Sequence, residues 1–195
     1  MLFSIALLAL VMSPCNCVSF RLDDVQDYYE RAGQIEVIRL FAQQNATLTV
    51  GVIGSALGND SKLVEFLKEN SHTIEFANHG WLHEDFSVIS VEEQTRLMNQ
   101  TNNKIQELFW VRPVTFIAPF NRLNTDTGDA VYRNGMSILT ADEKHDSPAL
   151  VDGRVYHLPV NANVSDYDEE ALRWKSFENA IVLSDVRKGI ERDGY

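Results

Sequence analysis

The sequence predicts an α/β fold in which helices flank a parallel sheet. Short β-branched and aromatic runs alternate with segments of helical periodicity along most of the chain. Strands that alternate with helices in this way pair in parallel, either in an open sheet or in a (β/α) barrel. The 195 residues, 45% of them hydrophobic, are enough to build one compact domain with its own core.

The first half of the chain predicts three strands separated by two helices. Each strand is a short apolar run, and the three cover residues 18–22, 47–53 and 73–77. Asp23 and Asp24 close the first strand. Asp27 is placed to cap the first helix, and Asp60 or Ser61 is placed to cap the second.

The second half continues the alternation. Helices are predicted over residues 91–110, 125–134 and 177–192. Strands are predicted over residues 114–118, 136–140 and 154–158. Ser90 and Glu93 form a capping box that opens the first of these helices. Gly135 follows the second, at the position where glycine usually terminates a helix.

The amino-terminal segment predicts export from the cell. Residues 1–12 are almost wholly apolar, but a membrane-spanning helix needs about 20 such residues. The run fits the central region of a signal peptide, although it has no basic residues before it. We therefore predict a signal peptide over residues 1–17, a catalytic domain over 18–195, and a secreted or cell-surface location with no membrane-spanning segment. A hydrophobic first strand or an incorrectly assigned start codon is the alternative.

The charge of the chain argues against a nucleic-acid partner. The formal net charge is −11, and no basic stripe offsets it. A polyanion would be repelled by this mean field, so a neutral or cationic substrate fits better. The oligomeric state is not readable from the sequence.

Two pairs of polar residues predict a metal site. Asp23 and Asp24 follow the first predicted strand, and His79 and His83 follow the third. One carboxylate and two imidazoles suffice to hold a catalytic divalent ion, and a second carboxylate can activate water. The carboxyl ends of parallel strands are where ligands gather. Two histidines four apart face the same way if their turn is helical. Each pair alone is weak evidence, because helix caps and surface positions explain such residues more often than a metal site does.

Three segments of the chain resemble the first three motifs of the polysaccharide deacetylases. The segments are residues 20–24 (Phe-Arg-Leu-Asp-Asp), 78–85 (Asn-His-Gly-Trp-Leu-His-Glu-Asp) and 116–121 (Phe-Ile-Ala-Pro-Phe-Asn). This carbohydrate esterase family contains chitin and peptidoglycan N-deacetylases and the rhizobial Nod-factor deacetylase. The resemblance covers about residues 18–140 and implies a distorted (β/α) barrel.

The resemblance also implies roles for individual residues. Asp23 matches the catalytic base that takes a proton from the attacking water. Asp24, His79 and His83 match the family's metal-binding triad, which usually holds zinc or another divalent ion. Phe120 matches the aromatic residue whose backbone N–H helps to bind the oxyanion, and Pro119 stiffens the approach to it. The implied activity is metal-dependent removal of N-acetyl groups from an amino-sugar glycan.

The chain departs from the family pattern at several positions. The first motif usually reads Thr-Phe-Asp-Asp-Gly, whereas here it is Arg-Leu-Asp-Asp-Val. Gly80 stands where the family usually has serine or threonine. Ile117 occupies the place of the arginine that normally orients the base. Arg21 or Arg122 could substitute for that arginine from another direction.

The general acid is the least determined role. His157 lies on a predicted strand and could protonate the leaving amine. However, Asp193, Gly194 and Tyr195 resemble a helix end about to enter another strand. We therefore expect a truncated chain, with the last barrel strand and the true acid histidine beyond Tyr195. His157 is then a core or rim residue.

Three functions stay open on the sequence alone. The first is the glycan deacetylase just described. The second is a non-catalytic carbohydrate-binding or metal-binding module on the same fold, suggested by Ile117 and the undetermined acid. The third is an amidohydrolase acting on a small acylated amide, which would share the same metal chemistry. Trp81 and Phe86 flank the predicted site and could either stack on a sugar ring or simply pack in the core.

Overall fold

The computed structural model describes residues 18–141, 149–151, 153–168, 170–171 and 173–193. The predicted signal peptide, residues 1–17, lies outside the described residues. The chain divides into two compact units, one over Ser19–Asn161 and one that holds Val18 and the residues from Ala162 onward. Among the described residues, no helix combines the length and the apolar character needed to cross a membrane.

The described part of the first unit contains one mixed, mostly parallel sheet. Its strands are β1 (Arg21–Val25), β2 (Leu48–Val52), β3 (Ile74–Asn78), β4 (Thr115–Ile117), β5 (Ile138–Thr140), β6 (Ala149–Val151) and β7 (Val155–His157). They are arranged in the order β1-β2-β3-β4-β5-β7-β6. Strand β6 pairs antiparallel with β7, and all other neighbours in the sheet are parallel. The predicted α/β class is confirmed, while β6 was not predicted.

Among the described residues, four α-helices connect the strands from β1 to β5. They are α1 (Arg31–Gln43), α2 (Ser61–Glu69), α3 (Val91–Phe109) and α4 (Thr127–Arg133). Ser90 caps α3 by accepting a hydrogen bond from the Glu93 N–H, as the capping box predicts. The Asp60 side chain likewise accepts from the Leu63 N–H at the start of α2. Asp27 does not cap α1, which begins only at Arg31, and accepts instead from the Asn59 N–H.

One face of the sheet packs against the helices. Alternate residues of the central strands, among them Val50, Phe76 and Phe116, are buried in two clusters with helix side chains. The rings of Phe76 and Phe109 stack at 4.1 Å between centroids, which joins β3 to α3. Burial of one such side chain contributes about 1.5–3 kcal/mol to folding, so this layer supplies the main stabilisation of the unit.

The opposite face of the sheet is partly polar, and the sheet curls around it. The Arg21 side chain on β1 donates a hydrogen bond of 3.0 Å to Thr140 Oγ1 on β5. In a flat sheet these strands would lie about 19 Å apart, four strand spacings away. The sheet must therefore curl strongly, which matches the predicted distorted barrel. Among the described residues β1 and β6 remain its edges, so the barrel is not closed.

The second unit contains a hairpin and a helix. Strands β8 (Ser165–Asp168) and β9 (Arg173–Ser176) pair antiparallel, and α5 (Asn179–Asp193) follows. The helix was predicted from its periodicity. The hairpin was not, because its strands are mostly polar and lack the apolar alternation that marks a strand facing a core.

Candidate active site

A bulge in β1 brings two successive carboxylates to the same face of the sheet. The pairing register moves between Leu22 and Val25, which oppose Val50 and Val52 of β2. Leu22 and Val25 both pack in the helix-facing core although they are three residues apart. Strict alternation would place them on opposite faces, so the bulge adds one residue to β1. Asp24 takes a left-handed conformation with φ of 60° within it.

The two histidines are brought together by an irregular loop. Asn78 points to α3, where its side chain donates to the Met98 carbonyl and to Asn102. His79 is the next residue and points to the other face. Gly80 and His83 both have left-handed backbones, with φ of 77° and 62°. The turn between the histidines is therefore not helical, and helical i, i+4 spacing does not explain why their side chains meet.

Asp24, His79 and His83 form one cluster of candidate metal ligands. Their three ligand atoms lie within 4.8 Å of one another. Asp24 Oδ1 is 3.4 Å from His79 Nε2 and 3.1 Å from His83 Nε2. Ligand atoms around a tetrahedral zinc ion, with bonds of 2.0–2.1 Å, are about 3.3 Å apart. The two distances from Asp24 therefore fit neighbouring ligands of a tetrahedral divalent ion.

Hydrogen bonds prepare His79 to act as a ligand. Its Nδ1 lies 2.9 Å from the backbone carbonyl of Ile117, which can only accept, so Nδ1 carries the proton. Nε2 is thereby left as the unprotonated nitrogen, which is the form that binds a metal. Ile117 thus supports the site through its backbone, although its side chain cannot replace an arginine.

The Asp24 carboxyl is held in its charged form. Burial by itself would raise the pKa of this group, but its close contacts with the His79 and His83 imidazoles hold it well below the usual range. An ionised Asp24 is the form that a metal ligand requires.

Asp23 lies beside the triad with one free acceptor. Its Oδ2 accepts a hydrogen bond of 2.9 Å from Arg21. Its Oδ1 is shielded from solvent and has no hydrogen-bond partner among the described residues. The same Arg21 side chain donates a hydrogen bond to Asn121 Oδ1, at a distance of 2.5 Å. Arg122, the other candidate substitute, pairs with Asp85 instead.

Phe120 contacts the metal-ligand cluster through its ring. It lies in the 3-10 turn Pro119–Asn121 that follows β4, with a left-handed backbone at φ of 56°. Its ring contacts the His83 ring edge to face, with centroids 4.4 Å apart. The structure thus brings Phe120 to the predicted site, where its backbone role in oxyanion binding stays a prediction.

The side chain of His157 lies on the opposite face of the sheet from this cluster. It ends β7, where Val155 belongs to the helix-facing core. Alternation places His157 on that same face, whereas Arg21 and Thr140 meet on the other. His157 is buried and is not a member of the Asp24 cluster. Its role as general acid stays a prediction.

A shallow cavity of about 350 Å³ opens beside the triad. It is lined by Asp24, Gln26, Tyr29, Ile53, Ser55, Ala56, Leu82 and His83. Sequence reasoning missed Gln26, Tyr29 and Ser55, since only the β1–α1 and β2–α2 connections bring them to the triad. Phe86 is fully buried and serves packing, and Trp81 is half-buried against the same core cluster.

Sequence comparisons with known proteins agree on one family. The family model described as polysaccharide deacetylase matches residues 12–139, well over half of the chain. A peptidoglycan deacetylase-like protein, FGM2 of Gibberella zeae, is 29% identical over 102 residues, which are 51% of this chain and 28% of that protein. The chain thus spans little more than a quarter of this curated relative.

Solved structures share the fold at low sequence identity. A Streptococcus pyogenes deacetylase, PplD in complex with acetate, has a TM-score of 0.56 at 16% identity over 73% of this chain and 63% of that one. A CE4 family pseudoenzyme from Bacillus anthracis has a TM-score of 0.55 at 13% identity, and the match covers 64% of this chain and 43% of that one. A family 4 carbohydrate esterase from Streptomyces lividans, also in complex with acetate, has a TM-score of 0.54 at 15% sequence identity. The match covers 65% of this chain and 62% of that one. Both the sequence match and the fold lead to one conclusion: this chain belongs to the polysaccharide deacetylase family.

Proposed function

We propose that this protein is a metal-dependent hydrolase that removes acetyl groups from N-acetylated amino sugars in a glycan. The observation that carries the proposal is the Asp24, His79 and His83 cluster with the unpartnered Oδ1 of Asp23 beside it. Family membership supports the glycan substrate, and the export predicted from the amino-terminal segment supports a secreted or cell-surface enzyme. Release of acetate and a free amine is the expected reaction.

The triad would hold a divalent ion, and we propose zinc. The ligand set of one carboxylate and two neutral imidazoles is typical of hydrolytic zinc, and the distances fit it. When bound, the ion would polarise the acetamide carbonyl and make water a stronger nucleophile at neutral pH.

Asp23 is the proposed general base. Arg21 fixes its Oδ2, which leaves Oδ1 to accept a proton from the attacking water. The Phe120 N–H is the proposed donor to the oxyanion that forms on the substrate. The proton donor to the leaving amine is not assigned to His157, because its side chain is buried on the helix-facing side of the sheet, away from the ligand cluster.

The cleft beside the triad suits a sugar ring. Tyr29 and Leu82 line it, and the Phe120 ring is 58% exposed next to His83. Aromatic and aliphatic surfaces of this kind can pack on the apolar face of a pyranose while polar groups at the cleft bind its hydroxyls. A neutral acetylated glycan also avoids the repulsion that the net charge of −11 would exert on a polyanion.

A non-catalytic carbohydrate-binding module is the second candidate. The observation that favours it is Ile117 in place of the expected arginine, together with the similarity in fold to a CE4 family pseudoenzyme. Arg21 argues against it, because the base-orienting contact exists from another strand.

The test is acetate release from N-acetylglucosamine oligomers by zinc-loaded protein. Asp23→Asn should lower the rate by about 10²–10⁴-fold, the usual contribution of a general base, while zinc content stays at the wild-type value. Asp27→Asn is the matched control, since the Asp27 carboxylate is only four residues away in the chain and accepts a hydrogen bond from the Asn59 N–H. Wild-type rates in Asp23→Asn would reject the proposed base. Glycan binding without acetate release by the wild type would favour the binding module.

A further inference from the structure

Several backbone groups of the loop that carries both histidines are hydrogen-bonded. The Gly80 N–H donates to Asn78 Oδ1 over 3.0 Å. The Gly80 carbonyl accepts a hydrogen bond of 3.0 Å from the Gly54 N–H, and the Trp81 carbonyl accepts one of 2.9 Å from the Ser55 N–H. These bonds tie the loop to the 3-10 turn after β2. A loop bound on this scale has a fixed shape, and its shape sets where the His83 side chain points.

Glu84 supplies two further hydrogen-bond partners for this loop. Its Oε2 accepts from the Trp81 N–H over 3.0 Å, and its Oε1 accepts from the Leu82 N–H over 2.8 Å. The two consecutive N–H groups form a small anion-binding concavity, and the carboxylate that fills it comes from the residue directly after His83. Glu84 therefore closes the loop on itself around the second histidine.

The absence of a side chain at Gly80 permits this closure. A Cβ at Gly80 would lie 2.9 Å from Glu84 Oε2 and 3.2 Å from Pro119 Cγ. The carboxylate oxygen thus occupies the space that any other residue at position 80 would fill. Gly80 and Glu84 form a coupled pair.

We propose that Glu84 is a positioning residue for the metal site, which fixes the loop so that His83 meets Asp24 and His79. The proposal rests on the proposed metal-binding triad and adds the residue that shapes it. Glu84 bonds the backbone of the loop rather than a ligand atom, so it acts on the affinity for the ion. Outer-shell partners of metal ligands typically contribute 10–100-fold to metal affinity.

The experiment is a titration of metal-free protein with Co²⁺, in which visible absorption reports both affinity and coordination geometry. Glu84→Ala removes both acceptors and should weaken Co²⁺ binding by about 10–100-fold with an altered spectrum. Glu84→Gln keeps one acceptor and should fall between Glu84→Ala and the wild type. Circular dichroism and the melting temperature are measured for each variant, and Glu84→Gln decides the matter if Glu84→Ala does not fold.

Asp85→Asn is the matched control for charge. It also removes one negative charge close to His83, but the Asp85 carboxylate bonds Ser87 and Arg122 rather than the histidine loop. It should change the affinity by less than about fivefold, the effect of one exposed charge.

The outcomes separate this inference from the proposed function. Equal weakening by Glu84→Gln and Asp85→Asn would show a simple charge effect and overturn the positioning role. Wild-type affinity in both Glu84 variants would also overturn it, while leaving the triad and the deacetylase proposal standing. A folded wild type that binds neither Co²⁺ nor Zn²⁺ would overturn the metal site and this inference together.

Discussion

Arg21 donates a hydrogen bond to Asp23 over 2.9 Å from a position two residues earlier in the same strand. The family pattern places an arginine for this purpose at the end of β4, at the position that Ile117 occupies here. The guanidinium of Arg21 also reaches Thr140 on β5 and Asn121 after β4. One side chain therefore orients the proposed base and joins opposite walls of the curled sheet.

Replacing Arg21 should impair the proposed reaction more than substrate binding. Arg21→Ala releases Asp23 Oδ2, and a misplacement of about 1 Å at a catalytic group costs about 100-fold in rate. We expect kcat for acetate release to fall by about this factor with KM little changed. Steady-state kinetics at saturating zinc measures both. Arg122→Ala is the control, because that exposed arginine pairs with Asp85 on the same rim. Equal losses in the two variants would contradict the assignment.

Replacing Gly80 should distort the histidine loop. Gly80→Ala adds a Cβ against Glu84 and Pro119 at a φ of 77°, where L-residues are strained. The left-handed conformation alone costs about 1–2 kcal/mol of unfolding free energy, and the clash adds to it.

Gly135→Ala provides the strain-matched control for that variant. Gly135 has a φ of 73° after α4, but nothing lies within 4 Å of its added Cβ. Urea denaturation should therefore show a larger loss for Gly80→Ala than for Gly135→Ala, and only Gly80→Ala should weaken metal binding. The excess loss should shrink in a Glu84→Ala background, where the clash partner is gone. Equal losses at the two glycines would contradict the crowding seen at Gly80.

Removing a ligand should remove the ion. We expect one zinc per wild-type chain and none in Asp24→Asn or His79→Ala, since two remaining ligands do not hold a hydrolytic zinc site. Elemental analysis of purified, folded protein gives the stoichiometry. His72→Ala is a suitable control because His72 lies in the 3-10 turn before β3, outside the cluster. Retained zinc in both ligand variants would show that the ion binds elsewhere.

Asp60 should stabilise the fold in a pH-dependent way. Burial would raise the pKa of Asp60, but its bonds with Arg31 and with the Leu63 N–H lower it below the ordinary 3.8. A lowered folded-state pKa gives stability that is fully present above the ordinary value and is lost as the pH falls through the folded value.

Comparing Asp60→Asn with the wild type isolates this charge, because asparagine still caps a helix well. The wild type should have the higher melting temperature at pH 7, and the difference should shrink as the pH falls below 3.8 and disappear once the folded-state carboxyl is protonated, because protonated aspartic acid resembles asparagine. A difference that grows on acidification would contradict the assigned pKa direction.

Local patterns explain the parts of the fold that were predicted correctly. The capping box at Ser90 and the apolar runs of β2 and β3 depend on neighbours within a few residues, which the sequence displays directly. The cap assigned to Asp27 was wrong because a competing donor, the Asn59 N–H, comes from a distant connection. The β8–β9 hairpin escaped prediction because its strands are mostly polar.

The sequence by itself determined the α/β class, the order of the motifs and the chemistry of the candidate ligands, because residue type and spacing are properties of the chain. Only the tertiary structure decided how these residues meet. The bulge in β1 turns Asp23 and Asp24 to one face, the histidine loop is shaped by Glu84 rather than by a helix, and the curl of the sheet delivers Arg21 to Asn121 and Thr140. The contacts of Arg21 join residues 100 and 119 positions apart. The bulge and the histidine loop depend on backbone geometry that no local pattern encodes.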